Sequence, residues 1–117
     1  MSDEYPEATP LADGFGGWMA RADTPVLFDL DGVLAVSIWP DRHIGPPIRE
    51  GIRMLKHYAE QGYKIVVYTS RPWHDQPLIR DWVKVESGFD VEVICGKPLA
   101  TLYIDDRAVR FERTTDV

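Results

Sequence analysis

The chain has 117 residues, a formal net charge of −6, 44% hydrophobic and 27% charged residues, a balance that suits one soluble domain with one core. The acidic surplus argues against a general polyanion-binding surface, and nucleic acid is not indicated by charge. No apolar run reaches the ~18 residues of a membrane helix, and the single cysteine, Cys95, leaves no partner for an intramolecular disulfide.

Residues 1–24 read as a leader, expected to be ordered only in part. They are acidic at the start, without the apolar stretch of a signal peptide, and carry the glycines Gly14, Gly16 and Gly17. With the lone cysteine this points to the cytoplasm. From Pro25 to Val117 the pattern alternates between strand and helix. VLFDL (26–30) is an apolar run of strand length. Residues 46–61 place Ile48, Ile52, Leu55 and Ala59 on one stripe and end at Gly62, which predicts a helix. KIVVYTS (64–70) is the second strand, rich in β-branched residues. Residues 77–87 predict a second helix stopped by Gly88. VEVIC (91–95) and TLYID (101–105) are the third and fourth strands.

Apolar strands alternating with helices predict a mainly parallel central sheet in a Rossmann-like three-layer sandwich. Binding groups in such folds gather beyond the carboxyl ends of the strands. Every predicted strand here has polar residues at or just beyond that end: Asp29 and Asp31, then Thr69, Ser70 and Arg71, then Lys97, then Asp105 and Asp106. Were strands one and four neighbours, four carboxylates would converge. Two like charges 4 Å apart repel by about 4 kcal/mol at an effective dielectric of 20. A divalent cation among them relieves this, and an all-oxygen set favours Mg²⁺. Such a cation, with a lysine and a hydroxyl, receives a phosphoryl group. One carboxylate can then attack phosphorus while another moves the proton.

The pieces FDLDGVL, VVYTSR, GKP and YIDD, in this order over residues 26–106, resemble the haloacid dehalogenase (HAD) superfamily of phosphohydrolases. The resemblance implies that Asp29 is the nucleophile and a metal ligand. It implies that Asp31 is the general acid/base and lends its backbone carbonyl to the metal. Thr69 is then the phosphate-binding hydroxyl, Lys97 steadies phosphate and nucleophile, and Asp105 and Asp106 complete the Mg²⁺ site. The gaps of 38 positions from Asp31 to Thr69 and 28 from Thr69 to Lys97 hold no cap domain. A capless member of the superfamily tends to act on a large phosphorylated substrate, or to close its site with a second subunit, so homo-oligomerisation stays open. Residues 35–45 are the only flap, and its Trp39, with Ser70 and Arg71, is a candidate substrate contact. Two other classes stay open: a receiver-like phosphoacceptor domain, disfavoured because the lysine precedes the second acid pair, and a non-catalytic phosphate-binding module. Arg107 and His74 also border the site as candidate substrate contacts or solvated side chains, and for His74 the solvated role is the simpler reading.

Overall fold

A computed structural model describes residues 5–38 and 40–113. Three strands, β1 (Pro25–Phe28), β2 (Lys64–Tyr68) and β3 (Glu92–Ile94), form a parallel sheet in the order β1-β2-β3. Leu27 pairs with Val66, and Val67 with Val93. Two helices, α1 (Arg49–Glu60) and α2 (Gln76–Ser87), make the crossovers that parallel neighbours require. α2 opens with Pro77 in its first turn, where a missing N–H costs nothing.

Alternation along the strands decides which face the helices cover. Phe28, Ile65, Val67 and Val93 share one cluster with Ile52, Leu55 and Tyr58 of α1 and Ile79 and Val83 of α2. Leu55, Val67, Ile79 and Val83 are wholly buried, each contributing about 1.5–3 kcal/mol by leaving water. The opposite face carries Leu27, half exposed, and the Lys64–Glu92 ion pair at 2.8 Å. The described residues thus form a parallel sheet with both helices in one core cluster, a small α/β fold of Rossmann-like kind.

The expected fourth strand is not formed. Residues 99–110 are all exposed and carry no strand or helix, and the outer edge of β1, where a neighbour would pair, is free among the described residues. Leu102, Ile104 and Val109 stand 70%, 93% and 63% exposed. The apolar pattern of TLYID has the period of a strand, but it finds no ladder of hydrogen bonds here. The strands are also shorter than predicted: β1 stops at Phe28, before its two acids.

The leader is attached to the core. Tyr5 and Ala8 pack against it, the Tyr63 hydroxyl donates to the Ala8 carbonyl at 2.9 Å, and the Tyr58 hydroxyl donates to Pro6. Among the described residues no helix is long and apolar enough to cross a membrane.

Candidate functional site

The chain leaves β1 in a tight turn built on one carbonyl. The Leu30 oxygen accepts from the N–H groups of Val33, Leu34 and Ala35 at 3.3, 2.9 and 3.0 Å. Gly32 takes φ +93°, a backbone state that a side chain disfavours, and its N–H donates to the Ala35 carbonyl at 2.8 Å. Leu30, Leu34 and Ala35 are wholly buried, so the turn is anchored from beneath. Gly51 of α1 completes the anchor: a Cβ there would lie 1.8 Å from the Val33 carbonyl oxygen. Turn and helix therefore touch backbone to backbone, and Asp29 and Asp31 are held outward on a fixed base.

Asp29 accepts from the Leu30 N–H at 2.8 Å through Oδ1 and from Lys97 Nζ at 3.3 Å through Oδ2. Lys97 is placed by its own backbone, whose N–H donates to the Thr69 carbonyl at 2.9 Å, and its ammonium lies 4.7 Å from the centre of the Tyr103 ring. Thr69 is buried at the end of β2. Its hydroxyl accepts from the Arg71 N–H at 3.1 Å, which leaves its own O–H to donate elsewhere. These groups border a cavity of about 220 Å³ lined by Asp29, Asp31, Ser37, Thr69, Ser70, Arg71, Leu99 and Tyr103.

Arg71 lines the cavity but spends its side chain on the protein itself. Its side chain is 2% exposed, and four of its N–H bonds are committed. Nε and one terminal nitrogen each donate to one oxygen of Asp31 at 2.9 Å; the carbonyls of Arg42 and His43 take two more at 2.7 and 3.1 Å. The hydrogen bonds to Asp31 raise the guanidinium's proton affinity further, against the effect of burial. Arg71 is thus a tie between Asp31 and the 41–43 loop, with no N–H fork left for a substrate. The same loop is fastened again where Arg42 donates to buried Asp75 at 3.1 Å, beside His74, whose Nε2 lies 3.2 Å from Asp75.

Of the residues singled out in the sequence, Asp29, Asp31, Thr69, Ser70 and Lys97 come together at one end of the sheet. Asp105 and Asp106 do not join them: both are exposed, neither lines the cavity, and Asp105 accepts from the Arg107 N–H at 2.7 Å in a local turn. Trp39 lies outside the described residues. Sequence reasoning missed Ser37, Leu99 and Tyr103 as cavity walls and Asp75 as an anchor. An arginine directly after the second strand end, across from an acid at the first, was the signal for the Arg71–Asp31 pair.

Among the described residues no group of three His, Cys, Asp or Glu side chains is arranged to hold a metal ion. The donor set is of the right kind for Mg²⁺, all oxygen, but only Asp29 and Asp31 of it stand together. Lys97 and Arg71 balance these two acids one for one.

Fold and site define a small α/β protein with an acid- and arginine-lined cavity at the carboxyl ends of its strands, with Lys97 bonded to the acid at its edge. A crystal structure of an MCSG target from Vibrio cholerae resembles it with a TM-score of 0.62 and 31% sequence identity, over 74% of this chain and 82% of that one. The chain belongs to one family with that protein, whose description names no activity. No protein-family model and no curated protein matches the chain.

Proposed function

We propose that the protein is a phosphohydrolase of HAD type that cleaves phosphoric monoesters through an aspartyl-phosphate on Asp29. One observation carries this reading: Asp29 and Lys97, 68 positions apart, meet at 3.3 Å on the rim of a cavity that Thr69 and Asp31 also line. Asp29 is the nucleophile, since it is the less enclosed of the two acids and its side chain is 37% exposed. Its carboxylate oxygen attacks phosphorus in line and the bond to the leaving oxygen breaks. Lys97 neutralises charge on the transferred group, and the free O–H of Thr69 donates to a phosphoryl oxygen. Asp31 is the carboxylate placed to exchange the proton of the reaction.

Mg²⁺ is part of the proposal. Asp29 and Asp31 are already balanced by Lys97 and Arg71, so a phosphoryl dianion needs a further cation for neutrality. Asp29 and Asp31 would hold it with Asp105 and Asp106, once residues 101–105 add to the free edge of β1 and widen the sheet. Bound there, Mg²⁺ supplies electrostatic stabilisation of the phosphoryl oxygens. With no cap domain in the gaps between the motifs, the reading includes a large phosphorylated substrate.

Hydrolysis of p-nitrophenyl phosphate tests the reading. Turnover is expected with Mg²⁺, lost on adding EDTA, and lowered at least about 10³-fold in Asp29→Asn, with an unchanged circular dichroism spectrum. Undiminished turnover in that variant, or turnover indifferent to EDTA, contradicts it.

A further inference from the structure

Among the described residues the outer edge of β1 is free, and the segment with a strand's pattern lies undocked in solvent. Whether that segment can reach the edge within its own chain is a matter of length. The backbone just before it is pinned at the carboxyl end of the sheet: the Lys97 N–H donates to the Thr69 carbonyl at 2.9 Å, and the Gly96 N–H to the Arg71 carbonyl at 3.4 Å. In a parallel ladder that sets Asp105 beside Asp29, Thr101 falls beside Pro25, which is level with Lys64 at the amino end. From Thr69 back to Lys64 is five residue steps, ~16 Å along the strand. From β2 to a strand beyond β1 is a further ~10 Å sideways, two strand spacings. The straight line between the two points is therefore about 19 Å. Lys97 to Thr101 is four steps, which reach at most ~14 Å fully extended. An antiparallel addition within one chain is short enough, but it carries Asp105 and Asp106 to the amino end, away from Asp29.

We propose, resting on the phosphohydrolase reading above, that the fourth strand comes from a second copy of the chain: residues 101–105 of each protomer add parallel to the β1 edge of the other. A segment from a partner carries no tether to this sheet, so the parallel register is open to it. The exchange is reciprocal, as a two-fold dimer requires, and it covers both free edges. Leu102 and Ile104, 70% and 93% exposed in the separate chain, gain the sheet neighbours that their pattern suits. Ile104 falls beside Phe28, on the face packed against the helices. Asp29 and Asp31 of one protomer then meet the partner's Asp105 and the partner's Asp106, so each site is shared and neither chain holds a complete one. The short connection that bars closure within one chain favours exchange between two. Four converging acids need the cation, so the exchanged form is expected with Mg²⁺, while the separate chain keeps its open segment.

The test co-expresses two full-length chains with different tags, one Asp29→Asn and the other Asp105→Asn, and purifies through both tags in Mg²⁺. Each variant alone is expected to lose hydrolysis of p-nitrophenyl phosphate. The doubly tagged pair is expected to form and to recover about half of the wild-type kcat, since one of its two shared sites holds every acid intact. A pair that forms but stays inactive overturns the inference, because sites closed within one chain would each lack an acid. Tags that fail to co-purify, while the wild type turns over, overturn it as well and leave the phosphohydrolase reading in place. Ile104→Asp in both chains is expected to part the tags with an unchanged circular dichroism spectrum, its side chain being exposed in the separate chain. Tags that still co-purify in that variant put the contact elsewhere and refute the strand exchange. A wild type that does not cleave p-nitrophenyl phosphate removes the phosphohydrolase reading and this inference with it.

Discussion

The two ends of the proposed site are built very differently. Around β1 and β2 nearly every polar group has a partner: Arg71 makes four side-chain hydrogen bonds, Asp31 two, and the Leu30 carbonyl three. Residues 99–110 carry Leu99, Leu102, Ile104 and Val109 in the open, with Ile104 at 93% exposure. The first region is rigid because its charges and backbone groups satisfy one another across short distances. The second has the apolar content of a strand and is paired with no sheet edge. A site that needs carboxylates from both regions is therefore half assembled by the fold alone, and the remaining half depends on docking at the β1 edge.

Substitutions sharpen this contrast. The largest effect is expected from Lys97→Met, which removes the cation beside Asp29. Steady-state hydrolysis of p-nitrophenyl phosphate should fall by about 10²–10³-fold, with little change in thermal stability. Arg71→Ala should cost about 3 kcal/mol in urea unfolding, since it strands Asp31 and two loop carbonyls, though Asp31's 21% exposure moderates the loss. Gly51→Ala should cost about 1–3 kcal/mol in the same measurement, because the Val33 carbonyl must move from 1.8 Å. Ile104→Ser should change stability by less than about 0.5 kcal/mol, as expected of a side chain that touches nothing. A loss of 2 kcal/mol or more there would show that the segment is already docked, and would erase the contrast.

What could be read in the sequence follows the same division. VLFDL, KIVVYTS and VEVIC declare strands by their apolar and β-branched runs, although the ladders stop at Phe28, Tyr68 and Ile94. The Ile52–Leu55 stripe declares α1 because a period of three and four has no other use. Asp29, Thr69 and Lys97 were legible as partners because strand ends of a parallel sheet share one side. The Arg71–Asp31 tie went unread, since a sequence shows the type of a side chain and not its burial. TLYID was misread for a related reason. A strand-like pattern states a capacity to pair, whereas pairing depends on a free edge and on what brings the segment to it. The bond of Arg71 to the 41–43 loop was beyond sequence reasoning, because backbone carbonyls carry no residue signature.

The central claim is that Asp29 takes the phosphoryl group. The most direct measurement is rapid acid quench of the wild-type protein turning over acetyl phosphate, followed by peptide mapping by mass spectrometry. The account predicts one phosphoryl group on the peptide containing Asp29, absent when Asp29→Asn is treated alike. Continuing turnover with no phosphorylated peptide, or a phosphoryl group mapped to a different residue, would contradict it.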